Sequence, residues 1–344
     1  MYSREGAKAR RGFAGGGVGR LLMGFFSTVA RAAGAALGWG RHLCAFAPSR
    51  KHIYRRFTVA ARDYSESGLS EEMQMKPLIG RDTRLCMSLS ARPGNFGSRF
   101  HNRLYELIGL DFVYKSFSTT DLEAAIGGIR ALDIRGCAIS MPFKEAVITL
   151  LDGLAQSASA IDSVNTIVND DSVLTGHNTD YGAVVDLVAD LDRAMPFVVQ
   201  GSGGMAKAVA AALGDSGFRD GTVVARNEAT GRAIADRYGF AWTAEPEGEG
   251  ALLVNATPRG MTGPDADVLA FPQAMIAACA VAFDVVQYPV ATPFLKAAGE
   301  AGKRCITGAE VATLQALQQF VLYTGVTPSF EQIADAAAWA RAHP

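Results

Sequence analysis

Residues 197–217, FVVQGSGGMAKAVAAALGDSG, constrain the fold more than any other part of this 344-residue chain. An apolar run stops abruptly at glycines, and an Ala-rich segment with helical character follows. The order then recurs. GTVVARNEATGRAIADRYG (221–239) has the pattern of a strand and then a helix. ALLVNAT (251–257) and AVAFDVV (280–286) are apolar strands, and RCITG (304–308) stands ahead of a long helix over 309–323. Alternation of this kind predicts an α/β layer fold.

The preceding segment alternates as well. RLCMSLS (84–90) and FVYKSFS (112–118) have strand patterns, and between them Phe100, Leu104, Leu107 and Ile108 share one helical face over 98–108. TTDLEAAIGGIRAL (119–132) opens on a Thr/Asp cap and stripes Leu122, Ile126, Ile129 and Leu132 at helical spacing. RGCAISM (135–141) is a third strand. SVNTIVND (163–170) and VLTGHNTD (173–180) pair as a short hairpin across Asp170-Asp171-Ser172. A mostly parallel sheet follows from this order, with a helix over 180–192 linking the two alternating series.

Charge is unevenly placed. Residues 1–66 hold twelve Lys/Arg against three acidic residues, a net +9, so with an overall charge of −1 the rest of the chain carries −10. An acidic body argues against nucleic-acid binding. The stretch LLMGFFSTVARAAGAALGWG is broken by Arg31 and by glycines, and its uninterrupted part is too short to span a bilayer. Residues 1–75 have three readings: a targeting segment, a disordered basic tail, or sequence upstream of a true start at Met73 or Met75. The five cysteines, Cys44, Cys86, Cys137, Cys279 and Cys305, are odd in number and form no C-x-x-C. Neither a disulfide framework nor a zinc site is expected, and a reduced, cytoplasmic setting fits best.

Gly201-Ser202-Gly203-Gly204-Met205-Ala206 matches G-x-G-x-x-A between a strand and a helix. The first glycine permits a tight turn, the second lets backbone amides approach a pyrophosphate, and the small last residue lets helix and strand pack closely. The helix N-terminus adds unpaired N–H groups and a positive dipole end. A tight turn without ligand would use similar residues. The next strand ends in Arg226-Asn227, where NAD-binding domains usually carry an acidic residue. A guanidinium suits a 2′-phosphate, which predicts NADP over NAD.

CAISMPFKEAVITLLDG (137–153) raises a different question. Pro142 ends a strand, and Lys144 follows in the first turn of a helix, an unfavourable place for a cation. A carboxylate partner is expected, and Asp180 at the end of GHNTD is the candidate. Such a pair can hold an ammonium in place and pass a proton to a reacting oxygen. Asp180 as a simple helix N-cap is the competing reading. His101 is expected to pack or cap near the first loop.

The ordered set SLS…FHN, AISMPFKEAV, SVNTIVND, GHNTD, GSGGMAK, VNAT…G and TPF resembles the shikimate dehydrogenase family over residues 84–335, and most closely its shikimate dehydrogenase-like subgroup. The resemblance implies two α/β domains with a cleft between them. Residues 76–183 would be the substrate-binding and catalytic domain and 184–308 a Rossmann-type NADP-binding domain. Residues 309–344 would be helices returning to the first. It implies reversible reduction of 3-dehydroshikimate to shikimate with NADPH, with Lys144 and Asp180 catalytic. Ser88, Ser90, Ser140, Asn165 and Gln315 would bind substrate. The loop 201–206, Arg226, Asn227, Thr257, Val285 and Gly308 would bind cofactor. No metal, nucleic acid or membrane partner is implied, and a monomer or homodimer is expected.

The sequence also departs from the family pattern. SARPGNFGSRFHN is longer than the usual first loop, Ala138 replaces an asparagine, Gln287 replaces a late tyrosine, and a second arginine after Arg226 is missing. Tyr181 stands where glycine is common, which predicts a bulky ring near the Lys144–Asp180 pair. These changes leave two alternatives: action on quinate or another polyhydroxylated cyclic acid, or an NADP-binding sensor with little turnover.

Overall fold

The computed structural model describes residues 76–247 and 250–343. The basic extension expected over 1–75, Cys44 included, lies outside the described residues.

A first series of elements runs β1 (Arg84–Ser90), α1 (Phe96–Ile108), β2 (Phe112–Ser118), α2 (Leu122–Ala131), β3 (Gly136–Ile139), α3 (Phe143–Ala146), β4 (Gly153–Leu154), α4 (Gln156–Ser159), β5 (Thr166–Asp170), β6 (Val173–His177) and α5 (Thr179–Leu187). Its sheet has the order β2-β1-β3-β5-β6-β4. β1 is parallel to β2 and β3, whereas β5 is antiparallel to β3 and β6. The antiparallel part comes from the β5–β6 hairpin. Its turn residues Asp171 and Ser172 have φ of 53° and 69°, the left-handed pair that matches strand twist in a two-residue loop.

Asp121 caps α2, its carboxylate accepting from the Ala124 N–H at 2.9 Å. Ile126 and Ile129 are buried as the stripe requires, but Leu132 is 74% exposed. The helix stops at Ala131, so Leu132 leaves the helical register before it can reach the core. The strand expected over 135–141 is shorter, because Ser140 and Met141 already turn toward α3. The linking helix ends at Leu187 instead of 192.

The second series is β7 (Phe197–Gln200), α6 (Gly204–Asp215), β8 (Gly221–Val224), α7 (Glu228–Tyr238), β9 (Ala241–Thr243), β10 (Leu252–Asn255), α8 (Gln273–Ala278), β11 (Val281–Asp284), α9 (Pro293–Glu300) and β12 (Arg304–Ile306). All its strands are parallel, in the order β12-β11-β10-β7-β8-β9. This is the doubly wound Rossmann order, with the direction of winding reversing between β7 and β10. Four-residue strands buried throughout, such as Phe197–Gln200 and Leu252–Asn255, fit a sheet covered on both faces. The alanines of α6 are all buried, and their small side chains let the helix lie close to β7 and α5.

Two helices complete the chain, α10 (Gly308–Thr324) and α11 (Phe330–Ala342). α10 packs on α5, and α11 packs on α1 of the first series. Arg135 fastens the end of α10 to the first sheet by donating to the carbonyls of Tyr323 (2.8 Å) and Leu322 (3.2 Å). Arg103 fastens α11 through a two-pronged contact with Asp335 at 2.6 and 3.2 Å. No helix among the described residues is long and apolar enough to cross a membrane.

Candidate active site

The chain reverses sharply after β3. The Ser140 N–H donates to the Leu89 carbonyl (3.0 Å), the Met141–Pro142 peptide is cis, and the Phe143 N–H returns to the Ser140 carbonyl (3.0 Å). α3 is a single turn, Phe143–Ala146, with Lys144 its second residue. The Lys144 carbonyl accepts from the Val164 N–H at 2.8 Å, which fixes the turn against the segment leading into β5. Its ammonium lies 2.5 Å from the Asp180 Oδ2. The Asp180 side chain is 8% exposed and that of Lys144 24%. Charges this deep need a partner, because removing either one strands the other in a poorly solvated place.

Asp180 does not cap α5. That role belongs to Asn178, whose Oδ1 accepts from the Tyr181 N–H at 3.0 Å while its Nδ2 donates to the Ser163 carbonyl at 3.0 Å. Asp180 thus sits in the first turn, where the helix dipole favours an anion, and its carboxylate is available to Lys144.

The groups expected to face substrate differ in setting. Ser88 is half-buried and Ser140 exposed. Ser90 is buried, and its hydroxyl has no partner among the described residues. Asn165 is 1% exposed; its Oδ1 accepts from the Thr179 N–H at 2.8 Å, and its Nδ2 has no partner among the described residues. A buried polar group without a partner is unusual and marks a place that a ligand can complete. Gln315 is half-buried on α10. One turn further, Gln319 is buried and donates to the Thr166 hydroxyl at 3.0 Å. Sequence reasoning missed Gln319 and Thr166. The i, i+4 spacing from Gln315 was the one signal for the former.

His101 packs, as expected. Its ring is fully buried and stacked on Tyr114, with centroids 4.4 Å apart. Burial pushes its pKa down to about 3, so the imidazole stays neutral.

The glycine-rich loop lies at the reversal of the second sheet. Gly201 has φ 126°, and a Cβ there would come 2.7 Å from the Ala256 carbonyl oxygen, so only glycine fits. Gly203 and Gly204 are exposed, and a Cβ on either would meet nothing within 4 Å. α6 begins here with no side-chain cap and no acidic residue in its first turn. Its free N–H groups and the open glycine face suit a pyrophosphate. Ser202 accepts from the Thr230 hydroxyl at 2.8 Å, tying this loop to the next one. Met205 is half-buried and Ala206 fully buried against the core.

Arg226 is exposed just beyond β8, and Asn227 caps α7 by accepting from the Thr230 N–H at 3.1 Å. On the other side of the switch point, the Thr257 N–H and hydroxyl donate to the Asn255 Oδ1 at 3.1 and 2.6 Å, and the Val285 N–H donates to the Asn255 carbonyl at 3.0 Å. Gly308 opens α10, where any Cβ would overlap the Val286 carbonyl. Asp284 braces these loops. Its carboxylate accepts from the Asn255 Nδ2 (3.0 Å), the Val286 N–H (3.0 Å) and the Thr292 hydroxyl (2.7 Å). Burial raises its pKa to about 6, although the three donors pull the other way.

The first and second series meet through α5, α6 and α7. Glu145, beside Lys144, forms an ion pair with Lys207 of α6 at 2.8 Å. Arg237 pairs with Asp162 at 2.8 Å, and the Tyr238 hydroxyl donates to the Ala160 carbonyl at 3.0 Å. The ring of Tyr181 packs among residues of α6 and α7, and its hydroxyl donates to Asp215 at 2.8 Å. The expectation that this ring crowds the Lys144–Asp180 pair is therefore corrected. Successive helical residues point about 100° apart, and Tyr181 turns toward α6.

Residues 96–167 match the family model described as the shikimate dehydrogenase substrate binding domain. A shikimate dehydrogenase-like protein of Haemophilus influenzae is 53% identical over 268 residues, 77% of this chain and 99% of that protein. A shikimate dehydrogenase (NADP(+)) of Oleidesulfovibrio alaskensis is 35% identical over 250 residues, 69% of this chain and 90% of that one. The chain belongs to the shikimate dehydrogenase family. Among solved structures, the shikimate 5-dehydrogenase of Thermus thermophilus in complex with NADP(H) and shikimate is 28% identical. It superposes with a TM-score of 0.66 over 75% of this chain and 99% of that one. The fold shared with this family is the pair of α/β units described above.

Proposed function

We propose that this protein catalyses the reversible NADP-linked interconversion of 3-dehydroshikimate and shikimate. The observation that carries the reading is the Lys144–Asp180 pair, 2.5 Å apart and largely shielded from water. The protein is an NADP-dependent oxidoreductase acting on a CH–OH group. Family membership and the fit of the glycine loop, with its open face and uncapped helix, support that statement.

In the reductive direction NADPH, held at the glycine loop, would supply the hydride for the ring carbonyl carbon. Lys144 gives its proton to the carbonyl oxygen as negative charge develops there, and Asp180 holds the ammonium in line. In the oxidative direction the neutral amine removes the hydroxyl proton. Ser88 and Ser90 take the substrate carboxylate, and Ser140, Asn165 and Gln315 take ring hydroxyls. The unpartnered Ser90 hydroxyl and Asn165 amide support these two roles. Residues 201–206 receive the pyrophosphate, and Arg226 and Asn227 the 2′-phosphate. Thr257, Val285 and Gly308 line the nicotinamide end. In this reading residues 76–183 and the helices from 309 form the substrate domain, residues 184–308 form the cofactor domain, and the reaction takes place in the cytoplasm.

A second reading is action on quinate or a related acid, favoured by the longer loop between Ser90 and His101. The test is nicotinamide absorbance with shikimate and quinate, each with NADP⁺ and NAD⁺. Shikimate with NADP⁺ is expected to give the highest kcat/KM. A clear preference for quinate selects the second reading. Tight NADP binding without turnover of either acid overturns both.

A further inference from the structure

The amide of Asn165 is held by its oxygen alone. Its Oδ1 accepts from the Thr179 N–H at 2.8 Å, the Thr166 hydroxyl at 2.8 Å and the Thr179 hydroxyl at 3.2 Å. A backbone N–H can only donate, so the contact from Thr179 decides which end of the amide is oxygen. The Nδ2 then points the other way, buried and without a partner among the described residues. Such a group is costly unless something supplies an acceptor.

Behind the Thr166 hydroxyl stands Gln319. Its Nε2 donates to the Thr166 Oγ1 at 3.0 Å and more weakly to the Asn165 carbonyl at 3.4 Å. The Thr166 oxygen accepts from Gln319, which commits its one proton to Asn165 and polarises it as a donor. The chain therefore runs from α10 through β5 to the side chain of Asn165, and all three side chains are buried: Gln319 2%, Thr166 0% and Asn165 1% exposed. Both ends of the acid–base pair adjoin it. Thr179 precedes Asp180, and Val164, bonded to the Lys144 carbonyl, precedes Asn165.

We propose that Thr166 and Gln319 are positioning residues that aim the Asn165 NH₂ group at a ring hydroxyl of the substrate. They touch no substrate themselves. Their effect passes through one amide, so it falls on substrate binding and not on cofactor binding. The kinetic part of this inference rests on the function proposed above; the orientation of the amide does not.

The test uses the full chain with Thr166→Val, Thr166→Ser and Gln319→Leu, alone and with Asn165→Ala. Thr166→Val and Gln319→Leu are each expected to raise KM for shikimate about three- to tenfold, with kcat and the Kd for NADP⁺ within about twofold of the unmodified protein. Thr166→Ser is expected to restore KM. In the Asn165→Ala background neither substitution should raise KM further. An undiminished effect in that background overturns the proposal, because the residues would then act by another route. A second readout needs no substrate. The Asn165 side-chain amide signal in ¹⁵N NMR, assigned by its loss in Asn165→Ala, is expected to shift or broaden in Thr166→Val and in Gln319→Leu. A signal unmoved in both overturns the positioning role. Absence of turnover on shikimate and quinate would remove the proposed function and leave this second readout to decide. Should Thr166→Val fail to fold, Gln319→Leu interrogates the same chain from its other end.

Discussion

The phenol of Tyr181 donates to the Asp215 carboxylate at 2.8 Å, although Tyr181 directly follows the aspartate that pairs with Lys144. Its ring belongs to the contact between α5 and α6. Tyr181→Phe is therefore expected to leave kcat and KM within about twofold. The lost hydrogen bond, partly exposed, should lower stability by about 1 kcal/mol or less in denaturant unfolding. A large fall in kcat with unchanged stability would place the ring in the chemistry after all.

Lys144→Ala removes the proposed proton donor and leaves the glycine loop untouched. Turnover should fall by about 10²–10⁴-fold, while the Kd for NADP⁺ stays within about twofold by fluorescence titration. The Asp180 carboxylate, 8% exposed, would lose its counter-charge. Some loss of stability is therefore expected, and unfolding should be measured alongside kcat. Unchanged kcat in the folded variant would reject the assignment.

The glycines of the phosphate loop separate fold from ligand. Gly201→Ala forces a Cβ against the Ala256 carbonyl at a φ of 126° and should lower the unfolding midpoint clearly, by roughly 1–3 kcal/mol of strain. Gly203 has φ −81° and open space where a Cβ would go. Gly203→Ala should therefore fold normally and weaken NADP⁺ binding, because the methyl occupies the face left for phosphate. Calorimetry on both variants checks the contrast. Equal binding by Gly203→Ala and the unmodified chain would remove the pyrophosphate from that face.

Most of the fold was legible because its signals are local. β1 and β2 match the segments expected at 84–90 and 112–118, and the β5–β6 hairpin falls where its turn residues stand. Boundaries were less legible. Leu132 fits a helical stripe by spacing, yet the helix ends one residue earlier, and α5 stops at Leu187 although its apolar pattern continues. The site was legible only in part. Lys144 advertises itself by an awkward charge at a helix start. Thr166 and Gln319, 153 residues apart in sequence, carry no local signal, since a threonine in a strand and a glutamine on a helix are ordinary. Their meaning comes from the packing of α10 over β5. Tyr181 fails for the opposite reason: adjacency in sequence implied adjacency in space, and helical geometry undoes it.

Asp284 gives the second sheet a pH dependence whose sign is fixed by its burial. The carboxyl is fully buried and its pKa is raised to about 6, against 3.8 for the exposed group, because desolvation outweighs the donors from Thr292, Val286 and Asn255. Between those values the folded state binds more protons than the unfolded state, so stability falls as pH rises. The contribution is complete below about pH 4 and is lost as pH passes through about 6. The interval corresponds to about 2–4 kcal/mol. Asp284→Asn cannot titrate and keeps an oxygen for the Val286 N–H. Urea unfolding of both proteins between pH 4 and 7.5 should therefore show the unmodified chain losing ground to the variant by about that amount as pH rises, with the change centred between pH 4 and 6. A stability difference that stays flat across this range would mean the three donors fully offset burial, leaving Asp284 ionised as a fixed brace between the loops after β10 and β11.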